Sequence, residues 1–465
     1  IKCLKPLPVL DFDFDKVPDG GHYLMDPTRS TAHETIEQVK RANKCIECGF
    51  CEVNCMSCGL TLSSRMRIAV QREIRDLEAT GSDPERAARL RKQYKYYGDQ
   101  TCATDGLCST SCPMKINTGE LTHLIRQMDM LNSSMGYKAG EFAANHMAGI
   151  KKGLRVVLDV AHFGHITLGS KMMSSVCRGM NKMGLPLWTT AMPKKRRQPK
   201  ISDLTKIIID ESLPHAEKKS APSTALKVVY FPSCINQTMG LPRKSPVERS
   251  LVDEVVSLMH KSGYEVIFPE GLERMCCGQI WESKGMLDIA DRKSAELEAA
   301  LWKASEEGRY PVLCAQSPCL HRMRKVMTKM KLYEPAEFIM TYLKDRLDFH
   351  PIDRPIALHL TCSTREMGVA DDLVALAKLC STQVYLPEGV GCCGFAGDRG
   401  FTFPELNRYG LRKLRPQIEA HHIEVGYSNS RTCEIGLESN TGIPYMSIVY
   451  LVNECTTKKE AVKQE

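Results

Sequence analysis

The sequence predicts an α+β protein in which a helical, cysteine-rich region precedes two repeated α/β modules with parallel sheets. Three observations predict it. In the early part of the chain, cysteines fall in tight groups between stretches of helical periodicity. From about Ala225 short apolar strands alternate with amphipathic helices, the order that builds parallel sheets. That alternation, carrying a Cys-Cys-Gly run each time, occurs twice.

Residues 1–40 open Pro-rich and read as an arm or a linker. Residues 41–125 hold the first cysteine groups. Between those groups SSRMRIAVQREIRDLEA and DPERAARLRKQYKYY read as helices, the second with Asp83 as its cap and Pro84 just inside. TGELTHLIRQMDMLNSS and much of 138–181 also read as helical. Residues 126–224 form a helical connector ending in a basic linker that includes MPKKRRQPK.

The first α/β module spans 225–350. LKVVYFPS and YEVIFPE are its first strands, RSLVDEVVSLMHKSG lies between them as a helix, and a long helix over 287–307 precedes the strand YPVLCA. The second module spans 351–465, with IALHLTC, ADDLVALAKLCST and QVYLPEGVGCCG in matching places. Each module is expected to bury a helix-on-sheet core, and a pseudo-twofold pairing of the two would bring their cysteines together.

The chain has 465 residues, 43% of them apolar, which is enough for several domains with real cores. A net charge of +8 is a mild excess that favours acidic partners without naming one. Aromatic residues make up only 6%, and the cysteine spacings are not those of zinc fingers, so no nucleic-acid module is expected. Twenty-one cysteines in a long, Lys- and Met-rich chain suit metal ligation in a reducing compartment, cytoplasmic or mitochondrial matrix, rather than a disulfide scaffold. No apolar run is long enough to span a membrane. The helices over 142–182 and KKRR at 194–197 could lie against anionic lipid, peripherally on an inner membrane, or against a partner. The blander expectation is core helices and a solvated linker. The opening at Ile1, without a signal-peptide pattern, reads as a processed chain or a piece of a longer one.

CIECGFCEVNC at 45–55 is Cys-x2-Cys-x2-Cys-x3-Cys, the bacterial-type spacing for a [4Fe–4S] cluster. Closely spaced thiolates from one loop meet separate iron corners, and the fourth cysteine of each run serves the neighbouring cluster. TCATDGLCSTSCP at 101–113 is the partner run, with Asp105 where a cysteine would stand. By the crossed rule Cys45, Cys48, Cys51 and Cys112 hold one [4Fe–4S] cluster, and Cys55, Cys102 and Cys108 hold the other. The second cluster is then either [3Fe–4S], with an empty corner, or [4Fe–4S] with the Asp105 carboxylate or solvent on the odd iron. Cys58 is a spare buried thiol or a stand-in for Asp105. Residues 41–125 are therefore read as a helical two-cluster ferredoxin-like domain, an electron relay that breaks no substrate bonds itself.

The modules offer Cys234, Cys276, Cys277, Cys314 and Cys319 in the first, and Cys362, Cys392, Cys393 and Cys433 in the second. Most follow predicted strands, and ligands of parallel α/β folds gather at carboxyl ends of strands. The first set suits a further [4Fe–4S] cluster or zinc. In the second, Ser430 stands where a Cys-x2-Cys pair with Cys433 would be natural, and His359 is either a substitute ligand or a structural residue at a strand end. That module reads equally as a lobe that shapes a site.

KCIECGFCEVNC, LTLSSRMRIAVQREI and QTCATDGLCSTSCPMKINTGEL resemble the iron–sulfur region of FAD-linked D-lactate dehydrogenases, in the D-2-hydroxyacid oxidase family. CCGQIWESKG, SPC, HLTCSTREMG, GCCGFAGDRG and GYSNSRTCEIGL extend the resemblance over most of the chain, from about Lys5 onwards. The Cys-Cys-Gly region is also similar, more loosely, to heterodisulfide reductases and glycolate oxidase iron–sulfur subunits. The resemblance implies an upstream FAD domain or a flavoprotein subunit that oxidises a D-2-hydroxy acid. Clusters in this chain would pass electrons on to a quinone, a cytochrome or another carrier. It also implies that Cys234, Cys276, Cys277, Cys314 and Cys319 match a five-cysteine set that can hold a noncubane [4Fe–4S] cluster, although the last pair is spaced Cys-x4-Cys rather than Cys-x2-Cys. Met56 replaces the proline usual after the fourth cysteine. No GxGxxG run opens a βαβ unit here, so the flavin is expected outside these residues. Two other readings stand beside this one: a heterodisulfide- or quinone-reductase subunit with its redox site in the modules, and a non-catalytic subunit whose clusters are structural.

Overall fold

The computed structural model describes residues 42–182, 186, 188–196, 226–243 and 245–459. The expected N-terminal arm and most of the basic linker lie outside them. The chain divides into two compact units. Of the described residues, those within 42–142, 278–292 and 391–412 form unit 1, and those within 143–277, 293–390 and 413–459 form unit 2.

In unit 1, helix α1 (Ser64–Thr80) starts where the Ser63 hydroxyl accepts the Met66 N–H and stops at Gly81 in the left-handed region. Helix α2 (Pro84–Tyr94) has the expected cap: Asp83 accepts the Arg86 N–H at 2.9 Å, with Pro84 at the first turn. Asn117 caps helix α3 (Thr118–Leu131) through the Gly119 N–H. The apolar faces close on Ile68, Ile74, Tyr94, Leu121, Leu124 and Ile125, with Cys45 and Cys112 at the border of this core.

A buried arginine ties the unit together. Arg126 bonds Asp99 at 2.6 Å, the Asp99 and Cys102 carbonyls at 2.9 and 3.2 Å, and the Ser283 carbonyl at 2.9 Å. Burial alone would raise the Asp99 pKa, but the Arg126 and Lys95 charges and the Arg126 hydrogen bond together outweigh it and lower the pKa, so the carboxylate stays ionised. Gly285 has φ +83°, and a Cβ there would stand 2.4 Å from the Arg126 backbone.

Helix α4 (Ser134–Asn145) follows α3, and helix α5 (Met147–Lys182) lies in unit 2. Helix α5 breaks at Gly169, where φ is 71°. It is not the core helix expected from sequence: Val156, Val157, Val160 and Phe163 are each more than 60% exposed. No helix among the described residues is long and apolar enough to cross a membrane. The start of the basic linker is also ordered. Arg196 is buried, bonding Asp253 at 2.9 Å and Ser250 at 3.1 Å, and the Arg196 N–H reaches the Thr238 carbonyl.

The rest of unit 2 carries the predicted repeat. The first sheet takes β1 (Leu226–Tyr230), β2 (Tyr264–Ile267), β3 (Val312–Leu313) and β4 (Leu332–Tyr333) in the order β2-β1-β3-β4. After β5 (Leu347–Phe349), the second takes β6 (Ile352–Leu358), β7 (Ser381–Tyr385), β8 (Val425–Ser428) and β9 (Tyr445–Ser447) in the order β7-β6-β8-β9. Every pairing within these two sheets is parallel. Strand β10 (Thr456–Lys458) pairs antiparallel with β5. Helices α6 (Leu251–Lys261), α7 (Ser317–Val326), α8 (Ala370–Cys380) and α9 (Arg431–Thr441) cover them. The modules do not bury separate cores. Val228, Val255 and Phe338 of the first and Ile356, Leu376 and Val449 of the second belong to one cluster.

Gly285→Ala is expected to destabilise unit 1 by about 2 kcal/mol or more, since it adds left-handed strain to a backbone clash. Thermal unfolding followed by circular dichroism measures it.

Candidate iron–sulfur sites

The first site is a loop folded around Gly49, whose φ of 87° turns the chain into the short 3-10 helix Phe50–Asn54. It places Cys45 and Cys51 near Cys112, whose charge adds to the upward pKa shifts of Cys45 and Cys51, though burial is the largest cause of both. Cys48 is exposed at the rim. Buried Arg72 clamps this loop. It pairs with Glu47 at 3.2 Å and bonds the carbonyls of Asn43 and Cys45, each at 3.0 Å. Asn54 ties the two cysteine runs together through Thr110 at 2.8 Å and Ser111 at 2.5 Å.

The second site is a small cavity whose lining includes Cys55, Cys102, Asp105 and Cys108, with Arg67 on one wall. These are the residues the crossed rule assigned to the second cluster. Cys58 is not among them; its carbonyl accepts the Tyr409 hydroxyl at 2.9 Å. The first turn of α3 faces this site, with the Thr118 N–H donating to Cys108 Sγ at 3.3 Å, and a helix N-terminus favours an anion. Burial, then the neighbouring Asp105 charge, pushes the Cys108 thiol up to about 12.

Arg67 is 1% exposed. It donates to Gly98 O at 2.7 Å, Ser57 Oγ at 3.1 Å, Thr101 O at 3.2 Å and Cys55 Sγ at 3.6 Å, with no carboxylate among these partners. Burial works against its charge, but the Cys102 and Cys55 sulfurs outweigh burial and raise its pKa. A sealed cation facing thiols needs anionic charge inside the cavity; the Asp105 carboxylate contributes part of it, and a thiolate-held iron–sulfur cluster would supply more. Residue reading alone did not single out Arg67 or Arg72. The available signal was their place with Ile68, Gln71 and Ile74 on the buried face of α1.

In unit 2 the five cysteines of the first module converge. Cys234 and Cys276 are hydrogen-bonded to each other, as are Cys276 and Cys277, and Cys277 and Cys319. Cys314 lies within the field of Cys277 and Cys234, and burial holds its pKa far above the ordinary thiol value. Cys234 follows β1, the Cys-Cys pair follows β2, and Cys314 and Cys319 follow β3, at carboxyl ends of parallel strands. Lys151 supplies a buried cation beside this set. It donates to Gln237 at 2.9 Å and to the Leu272 and Met275 carbonyls, each at 3.2 Å. Burial lowers its pKa, opposed by the Cys234 and Cys276 charges.

The second module's residues are divided between the units. Cys392 and Cys393 belong to unit 1, and His359, Cys362 and Cys433 to unit 2. His359 is buried; its Nδ1 meets Ser428 Oγ at 3.1 Å and its Nε2 has no hydrogen-bond partner. Burial, then the Arg365 charge, lowers its pKa to about 3, so the imidazole is neutral. Ser430 is committed to Gln316 at 3.0 Å. The modules meet through hydroxyls rather than thiols: Ser317 contacts Ser363 at 2.7 Å and Thr364 at 3.0 Å, and Thr364 donates to Glu334 at 2.9 Å.

Among the described residues no three Cys, His, Asp or Glu side chains close on a single ion. A mononuclear zinc site needs four donors around one atom, whereas a polynuclear cluster spreads its thiolates over separate corners.

A 4Fe-4S dicluster domain family matches residues 41–116, and a cysteine-rich domain family, CCG, matches residues 356–438. No curated protein matches the chain. The first match covers both ferredoxin-type runs and the second lies within the second module. The chain is an iron–sulfur protein that joins a dicluster domain to a cysteine-rich CCG region, and its redox domains make it an oxidoreductase component.

Replacing Arg67 by Met removes the cation beside Cys55 and Cys102. The second cluster's reduction potential is expected to fall by roughly 60 mV or more, about one decade for a one-electron couple. An EPR-monitored redox titration reads it, with the first cluster as internal reference.

Proposed function

We propose that the chain is the electron-transfer part of an FAD-linked D-2-hydroxyacid dehydrogenase, with D-lactate as substrate. The observation that carries the transfer role is the pair of thiol-lined sites in one unit, joined through Asn54, Thr110 and Ser111. Iron–sulfur clusters, when bound, supply one-electron transfer. The chain's residues set the conditions: Arg72 and Arg67 hold the ligand loops, and buried cations favour the reduced, more negative state. The hydroxy-acid assignment rests on the sequence runs that resemble the D-lactate dehydrogenase iron–sulfur region. FAD then belongs to an upstream domain or a flavoprotein subunit, and the acceptor is a quinone, a cytochrome or another carrier. The exposed apolar side chains of α5, with exposed Lys152, Lys171 and Arg178 along it, support peripheral contact with an anionic membrane carrying a quinone.

The convergence of Cys234, Cys276, Cys277, Cys314 and Cys319 favours a second reading, in which unit 2 holds a redox centre acting on disulfides or quinones. The two readings separate by experiment. Anaerobic protein combined with a D-lactate-oxidising flavoprotein is expected to show D-lactate-dependent reduction of both dicluster sites by EPR. Cys51→Ala is expected to leave flavin reduction intact and to cut acceptor reduction at least ~100-fold, beyond the 10–100-fold typical of an outer-shell change. D-Lactate that never reduces the clusters would rule out the hydroxy-acid reading. Cys276→Ala that abolishes disulfide or quinone reduction while D-lactate still reduces the dicluster would favour the reductase reading.

A further inference from the structure

We propose that the second cluster takes its fourth ligand from the Asp105 carboxylate, and that Cys392, from the second Cys-Cys-Gly loop, positions that ligand and donates a hydrogen bond to it. The inference rests on the dicluster assignment alone and not on the hydroxy-acid reading.

Asp105 sits midway between Cys102 and Cys108 and lines the same cavity as Cys55, Cys102 and Cys108. Its Oδ1 accepts the Leu107 N–H at 3.2 Å. Its Oδ2 is shut off from solvent and has no hydrogen-bond partner. A buried acceptor left this way is destabilising, and more so when charged. Metal ligation removes that cost, because iron takes the lone pair that no donor reaches.

Cys392 explains how the carboxylate is held. Its thiol hydrogen-bonds Asp105, and its sulfur accepts the Gly394 N–H at 3.4 Å. Asn407 fixes the next residue by donating to the Cys393 carbonyl at 2.6 Å. The loop is seated tightly in unit 1: at Gly394 a Cβ would stand 2.3 Å from Met56 Cε and 2.8 Å from the Leu406 carbonyl. Cys392 is not part of the cavity lining, so it supports the ligand from behind instead of replacing it. This Cys-Cys-Gly loop thereby serves the dicluster, which is not a role its sequence repeat suggests. Outer donors of this kind orient a ligand and tune the metal it binds.

The test is Mössbauer and EPR spectroscopy, with redox titration, of anaerobically reconstituted full chain. The protein is expected to carry two [4Fe–4S] clusters. Asp105→Ala is expected to convert one to [3Fe–4S] while the other's signal is unchanged, and Asp105→Cys to keep four irons in both. Cys392→Ala is expected to keep both clusters but lower the second cluster's potential, because the Asp105 carboxylate loses a donor, and Cys392→Ser is expected to restore most of it. A [3Fe–4S] cluster in the unsubstituted protein would overturn the proposal, as would a complete cubane in Asp105→Ala. Iron loss in Cys392→Ala with a complete cubane in Asp105→Ala would make Cys392 the ligand. An unchanged potential in Cys392→Ala would remove it from the positioning role.

Discussion

A guanidinium sealed among thiols and carbonyls sets the terms for unit 1. Arg67 has given up water for Gly98, Thr101, Ser57 and Cys55. An isolated buried charge costs several kcal/mol, so the anionic groups of the cavity, the Asp105 carboxylate and the cysteine sulfurs, stand against it. That requirement links α1, which carries Arg67, to the cavity that Cys55, Cys102, Asp105 and Cys108 line. Arg72, further along the same helix, does the equivalent work at the first loop by bonding the Cys45 carbonyl. One helix therefore shapes both sites, and the N-terminus of α3 adds its dipole at Cys108.

Unit 2 meets a different constraint. Two short parallel sheets of the same strand order must cover their faces, and they do so by sharing one apolar cluster. Sharing fixes the modules against each other, so their strand ends interlock through Ser317, Ser363, Thr364 and Glu334. Burial raises the Glu334 pKa to about 7, against the hydroxyls that bond it, and this suits a carboxyl enclosed in a hydroxyl network. The thiols are left to the first module, where five of them meet beside Lys151.

The duplicated loops have taken separate paths. After β2 the Cys276–Cys277 pair completes the thiol set of its own module. After β7 the Cys392–Cys393 pair belongs to the helical unit, with the Cys392 thiol bonded to Asp105. Ser430 in place of a cysteine, committed to Gln316, fits the same divergence.

Much of the chemistry was legible in the chain. The spacing of Cys45, Cys48, Cys51 and Cys55, and of Cys102, Cys108 and Cys112, is local, and short loops can enclose a cluster only at such spacings. Asp83 and Pro84 marked the start of α2 because a cap acts within one turn. Alternating strands and helices announced parallel sheets, since a parallel crossover needs a helix's length of chain. Tertiary structure decided the rest. Arg67 and Arg72 look like ordinary solvated helix residues until packing turns them inward. The apolar residues of α5 promise a core in sequence, yet face outward once the chain is folded. The loop at Cys392 reads as half of a repeat and is placed beside Asp105 by contacts between residues nearly three hundred positions apart. Local spacing determines which thiols can share a cluster, whereas long-range packing determines which charges and donors surround it, because burial is a property of the whole fold.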